Sequence, residues 1–330
     1  MPMWRCRPGC RTRTRSRFRY RRPLAAACCR RPFCRIFAAG AGSGPRFGAY
    51  GSPGGNRGKP VRRRRRNIVS MPARHHWRRG VGWIEWPRRC RARTALCKRA
   101  LVGLTLLWFG GESQAPGICE IPLETFFAAT DYLLETGCNR IVYVGTSKGA
   151  EAALLAAVHD PRINAVVAIS PSSVVWGNIG AGRDGVSWPE RSSWSLDGTP
   201  LPFVPTDPNW SRESVDGLVS YRALFEHCLK TFEREAKAAT IPVETASAEI
   251  LLVAGGDDAL WPSLWFATDI VRRRDNAGKV TRLVTSPDAG HRILLPGEGT
   301  PRSTLHAHGG NDEADSQLGR MAWEGIRELL

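Results

Sequence analysis

The sequence predicts an α/β chain built on a mostly parallel, doubly wound sheet. Two observations carry that expectation. From about residue 101 to the end, short runs of Val, Ile and Leu alternate with helical patterns, and these runs are near-continuously apolar, as burial on both faces requires. Three of the runs are also followed at once by small and polar residues, at the carboxyl ends where open α/β sheets gather their chemistry.

The elements come in order along the chain. A short basic helix is expected over 88–99 and a buried strand over Leu101 to Trp108, ended by Phe109-Gly110-Gly111. Ile121 to Glu135 reads as a helix with Pro122 in its first turn and Leu123, Phe126, Phe127, Leu133 and Leu134 on its inner side. Ile141 to Val144 is a strand that runs into a turn and an Ala/Leu helix, and Asn164 to Ile169 is the next strand. Residues 171–247 break the alternation with Trp, Pro, Ser and Gly, around one amphipathic stretch near Ser220 to Ala238. An insertion of that length between strands is expected to cap the site. The pattern then resumes with strand Glu249 to Ala254, helix Ser263 to Arg274, strand Lys279 to Thr285 and helix Gln317 to Leu330.

Charge divides the chain. Residues 1–100 hold 27 Arg and 2 Lys against the single acidic residue Glu85, which leaves 19 basic and 29 acidic residues for 101–330. The expected organisation is therefore an Arg-rich low-complexity segment over 1–90, disordered or mis-framed, and a catalytic domain over 91–330 with the cap at 171–247. No period of 2 or 3.6 is sustained in residues 1–80. Three readings of that segment stand: a nucleic-acid-binding arm around the arginine run 62–66, an organelle transit peptide, or a G+C-rich gene read out of frame. Pro8, Pro23 and Pro32 oppose the helix a transit peptide needs. Cys119, Cys138 and Cys228 are scattered, and they suggest a reducing compartment without a disulfide framework. The location expected is cytoplasmic, or an organelle if the arginine-rich segment targets one. No apolar run approaches the ~20 residues of a membrane span. No cysteine–histidine spacing suits zinc, so neither a metal nor a cofactor is expected.

Gly145-Thr146-Ser147-Lys148-Gly149 lies between the strand at 141–144 and its helix, the setting in which a G-x-S-x-G turn exposes a nucleophile. Gly145 and Gly149 spare the turn two Cβ atoms. The N–H of Lys148, at the start of the helix, is aimed to stabilise an oxyanion. Gly255-Gly256-Asp257-Asp258 comes after the strand at 249–254, and Ser286-Pro287-Asp288-Ala289-Gly290-His291 after the strand at 279–285. Serine, acid, histidine is the chain order of the α/β-hydrolase fold, each in the loop where that fold puts it.

The elbow Gly145 to Glu151, the acid loop Gly255 to Asp258 with Trp261-Pro262-Ser263, and Pro287 to His291 together resemble the acyl-CoA thioesterases and bile acid-CoA:amino acid N-acyltransferases. Glu120 to Glu124 and Ile241-Pro242-Val243-Glu244 resemble further segments of the same family, so the likeness runs over about 92–330, its carboxyl-terminal catalytic domain. The resemblance implies Ser147 as nucleophile, Asp258 as acid and His291 as base, with Asp257 supporting the loop. It also implies acyl-CoA as the substrate. The amino-acid-conjugating branch uses cysteine as nucleophile, so Ser147 favours hydrolysis. The alternatives are an oxygen-ester hydrolase of the carboxylesterase or dienelactone-hydrolase kind, an acyl-CoA:amino acid N-acyltransferase, and a nucleic-acid-binding protein carrying an inactive hydrolase scaffold. The Lys148 side chain is expected to be solvated or to meet a phosphate. A second oxyanion donor is expected from a Gly-rich loop around 75–85, yet Pro72 to Val81 has no Gly-Gly. Losing one such donor costs about 10²–10³ in turnover, which would impair the enzyme.

Overall fold

The computed structural model describes residues 33–38, 101–111, 114–211 and 213–330. The basic helix over 88–99, the loop around 75–85 and the arginine run at 62–66 lie outside them. Six strands, all paired in parallel, form the main sheet: β1 (Phe33–Ala38), β2 (Leu101–Leu106), β3 (Ile141–Thr146), β4 (Ala165–Ile169), β5 (Glu249–Gly255) and β6 (Thr281–Ser286). Their spatial order is β6-β5-β4-β3-β1-β2. The helices are α1 (Glu124–Glu135), α2 (Lys148–His159), α3 (Arg222–Thr231), α4 (Glu233–Ala238), α5 (Ser263–Asn276) and α6 (Asp312–Leu329).

The central strands show why the sequence reads as unbroken apolar runs. Successive side chains of a strand point to opposite faces, and here both faces are covered. Ile141, Tyr143, Val166, Ala168, Ile250, Leu252 and Ala254 meet α1, α2 and α5 in one core. Val142, Val144, Val167, Ile169, Leu251 and Val253 meet α6 through Leu318, Ala322 and Ile326 in the other. Every residue of β4 is buried, so a polar side chain anywhere along it would face apolar atoms.

Four elements differ from expectation. The first is β1, which pairs with both β2 and β3 and lies in a stretch where the sequence shows no sustained period. The second is α1, which starts at Glu124, because Ile121–Pro122 pairs with Trp194 and Ser195 of the insertion. Ile121 gives its N–H to the Ser193 carbonyl as a strand residue, so the chain is extended there, and Leu123, whose N–H goes to the Ser195 carbonyl, is the N-cap. The third is the amphipathic stretch, which divides at Phe232 into α3 and α4. The fourth is α6, which begins at Asp312, five residues early. Asn311 caps it by accepting the Ala314 N–H at 2.9 Å, and Asp312, Glu313 and Asp315 fill the first turn, where the helix dipole favours negative charge. One cysteine also departs from expectation: Cys119 and Cys228 are free thiols, but Cys138 is disulfide-bonded.

The insertion is anchored on the first core through Val174, Trp176, Trp194, Val204, Leu224 and Cys228. It carries α3 and α4 and two short antiparallel pairs, Trp194–Leu196 with Thr199–Pro200 and Glu213–Val215 with Leu218–Ser220.

Candidate active site

Ser147 stands between β3 and α2 with φ 56° and ψ −122°. A non-glycine residue with positive φ costs on the order of 1–3 kcal/mol and persists only where its surroundings enforce it. The enforcement comes from the close approach of the turn's two arms. A Cβ on Gly145 would sit 2.1 Å from the carbonyl oxygen of Gly149, so position 145 accepts glycine alone. The Ser147 carbonyl accepts from Ala150 and Glu151 at 2.9 and 3.1 Å, starting the helix at once. Lys148 and Gly149 are then the first residues of α2, whose N–H groups find no acceptor within the helix. The N–H of Lys148 thus lies beside the serine at the positive end of the helix dipole.

The acid and the histidine come from the ends of β5 and β6. Asp258 is fully buried. Its Oδ1 accepts the N–H groups of Leu260 (2.9 Å) and Trp261 (3.1 Å), and its Oδ2 lies 2.8 Å from His291 Nδ1. The pairing holds the imidazole with Nδ1 toward the carboxylate and leaves Nε2 as the free ring nitrogen. Asp257 serves the loop: its Oδ2 accepts the Gly310 N–H at 2.7 Å. The two loops meet closely enough that a Cβ on Gly255 would fall 2.2 Å from the Ala289 carbonyl oxygen.

Ser147 and His291 hang on neighbouring residues at the end of β4. Ser147 gives its N–H to the Ile169 carbonyl (2.9 Å), and Ser170 Oγ donates to the His291 carbonyl (2.9 Å). Ser170 is itself strained, with φ 47°, and fully buried. Its N–H goes to Val253 O and its carbonyl accepts Trp261 Nε1 at 3.2 Å. It therefore ties β5, the acid loop and the histidine loop together, next to the Ile169 carbonyl that holds the elbow. Ser170 is not among the residues expected at the site, although it occupies the first position after an apolar strand, as the other site residues nearly do.

His308 is a second histidine that the sequence does not single out. Its carbonyl accepts the His291 N–H at 2.7 Å, and its ring centroid lies 5.8 Å from that of His291. Burial, and then the neighbouring His291, push its pKa down to about 4, so it is neutral beside the candidate base. Trp261 stands edge-on to His291 at 5.7 Å and screens it from one side.

The Lys148 side chain is neither solvated nor free for a phosphate. It is buried, its Nζ lies 2.8 and 2.7 Å from the two carboxylate oxygens of Glu151, and the indole of Trp194 sits 5.3 Å from it. Burial lowers the Lys148 pKa and the charge of Glu151 opposes that shift. The predicted residues Gly145, Ser147, Lys148, Gly149, Asp258 and His291 thus fall on three strand ends of one sheet, and β1 ends beside them with Ala38 opposite Gly145. Among the described residues, no three His, Cys, Asp or Glu side chains are grouped to hold a metal, and no helix is long and apolar enough to cross a membrane.

Residues 121–330 match the family described as BAAT / acyl-CoA thioester hydrolase C terminal. Acyl-coenzyme A thioesterase 1 of Homo sapiens is 26% identical over 246 residues, covering 71% of this chain and 54% of the relative. Acyl-coenzyme A amino acid N-acyltransferase 2 of Rattus norvegicus is 26% identical over 205 residues, covering 61% and 45%. The chain spans about half the length of the curated relatives it matches. Among solved structures, a puromycin-hydrolysing peptidase of Mycobacterium tuberculosis aligns over 72% of this chain and 30% of that one, at 12% identity and a TM-score of 0.42.

Proposed function

The chain belongs to the BAAT / acyl-CoA thioester hydrolase family, and we propose that it is a serine hydrolase that cleaves acyl-CoA thioesters through Ser147, His291 and Asp258. The observation that carries the reading is the buried Asp258–His291 pair at 2.8 Å, held on the same strand end as a strained serine at a helix N-terminus.

In this reading His291 Nε2 takes the proton of Ser147 as Oγ attacks the thioester carbonyl carbon. Asp258, fixed by the N–H groups of Leu260 and Trp261, keeps the imidazole in the tautomer that can accept there and stabilises the imidazolium that forms. The carbonyl oxygen becomes an oxyanion facing the Lys148 N–H and the dipole of α2. When the tetrahedral intermediate collapses, the C–S bond breaks and coenzyme A leaves as a thiol, protonated by His291. A water then gives its proton to His291 and attacks the acyl-serine; the bond from carbon to Ser147 Oγ breaks, His291 returns the proton to Oγ, and the free acid departs. The neutral His308 adds no positive charge beside His291.

Serine supports hydrolysis over transfer to an amine, since an acyl-oxygen ester is less reactive toward amines than the thioester a cysteine would form. Thiol release measured over a series of acyl-CoA chain lengths tests the reading. The full chain is expected to release thiol, and Ser147→Ala to lose about 10⁴–10⁶ in kcat. Thiol release that survives the substitution would refute it.

A further inference from the structure

The first turn of α2 contains a charge pair that packing does not require. Glu151 is fully buried and Lys148 nearly so, in a helix otherwise made largely of Ala and Leu. Withdrawing an ammonium and a carboxylate from water costs several kcal/mol per ion, and apolar residues of the same size commonly serve stability as well or better. The pair therefore calls for an explanation other than stability.

Its partners supply one. Glu151 Oε1 accepts from Lys148 Nζ (2.8 Å), from the backbone N–H of Trp176 (3.2 Å) and from Trp194 Nε1 (2.6 Å), while Oε2 takes Lys148 Nζ (2.7 Å). Both tryptophans belong to the insertion at 171–247. Trp194 packs against Trp108 and Phe126, and Trp176 stands edge-on to Phe225 of α3 at 4.6 Å. A continuous series of contacts thus runs from α3 through Trp176 and Glu151 to Lys148, the residue whose N–H adjoins the nucleophile.

We propose that the buried Lys148–Glu151 pair is a positioning device that locks the first turn of the elbow helix to the insertion through Trp176 and Trp194, and so fixes the direction of the Lys148 N–H toward the oxyanion. Glu151 is a positioning residue: it acts on the reacting atoms only through Lys148. The proposal rests on the serine-hydrolase reading above for the role of that N–H.

The test compares the full chain with Lys148→Met/Glu151→Leu, which replaces the pair with apolar residues of similar volume. A second variant, Glu151→Gln, keeps an acceptor for the tryptophans and removes the charge. Three quantities are read: the melting temperature, kcat and KM for an acyl-CoA, and the rate at which a fluorophosphonate labels Ser147. In that labelling Ser147 Oγ bonds to phosphorus, fluoride leaves, and the serine proton passes to His291. The phosphoryl oxygen takes the oxyanion position, so the rate reports the Lys148 N–H without an acyl-CoA. A mis-aimed donor is expected to lower both kcat and labelling by about 10- to 100-fold, part of the cost of losing it. KM should stay within about threefold and the double variant should melt within a few degrees of the parent. A folded double variant whose kcat and labelling stay within about twofold of the parent overturns the proposal. If the double variant does not fold, Glu151→Gln decides by the same thresholds. A parent that is labelled but releases no thiol refutes the acyl-CoA reading and leaves the positioning role to be judged on labelling alone. A parent that is not labelled overturns both.

Discussion

The elbow and the histidine loop both rest on close backbone packing, but they differ in the polar contacts added to it. The elbow is held by shape: Gly145 touches Gly149 with no room for a carbon atom, and the strained Ser147 results from that contact. The histidine loop is packed comparably, since a Cβ on Gly290 would fall 2.4 Å from the His308 and Gly309 carbonyl oxygens, and polar side chains are added there. Asp257 takes Gly310, Asp315 takes the Gly290 N–H at 2.9 Å, Ser170 takes the His291 carbonyl, and Asp258 takes the ring. Arg292 and Arg302 add ion pairs to Asp312 and Asp315 at the start of α6. Packing and polar contacts should therefore fail in different ways. Close packing fails when atoms are added, and all at once; a set of hydrogen bonds fails as its members are removed, and by degrees.

Four measurements probe the contrast. The largest effect is expected at the Asp258–His291 contact, which the proposed reaction uses. Asp258→Asn leaves the loop hydrogen bonds to Leu260 and Trp261 available but presents the wrong tautomer of His291, and kcat should fall by about 10⁴. Next is Gly145→Ala, which forces a carbon to within 2.1 Å of a backbone oxygen. It should cost about 3 kcal/mol or more, seen as a lower denaturation midpoint or as insoluble protein. Ser170→Ala removes one buried hydrogen bond from the histidine side, worth about 1 kcal/mol, and kcat should fall by about tenfold or less with folding retained. If Ser170→Ala were as damaging as Gly145→Ala, polar contacts and close packing would not differ as described.

The smallest effect is a pH dependence. The folded-state pKa of His308 is depressed to about 4, below the usual value for histidine in an unfolded chain. Between those two values the unfolded chain binds more protons than the folded one, so stability contributed by neutral His308 is present above about pH 6.5 and is lost as pH falls toward 4. His308→Gln should flatten the acid limb of the stability curve by about 1–2 kcal/mol over that window. Denaturant titrations of parent and variant at about pH 7 and about pH 4.5 would measure it, and parallel limbs would contradict the assignment.

The elbow, the acid and the histidine are legible in the sequence because each is a local signal: a strand, then a few residues that no strand or helix needs. The cores are legible for the same reason, since period and apolar runs derive directly from burial on both faces. The features that escape the sequence depend on partners far along the chain. Lys148 reads as a solvated side chain or a phosphate contact until Glu151 and the distant Trp194 enclose it. His308 carries no pattern of its own, and its carbonyl meets His291 only after the intervening chain turns back. β1 is short and interrupted by Arg35, and its place is set by pairing with β2 and β3 rather than by its own pattern. Phe232 looks like one more apolar residue of a helix, but its φ and ψ divide α3 from α4.

A serine that carries the acyl group between two half-reactions can be caught holding it. The full chain is mixed with acyl-CoA, quenched in acid within milliseconds, digested and examined by mass spectrometry. One acyl group is expected on the peptide containing Ser147, formed together with one equivalent of thiol, and absent from Ser147→Ala. An acyl group found instead on Cys119 or Cys228, or thiol released at an undiminished rate by the Ser147→Ala chain, would contradict the role assigned to Ser147.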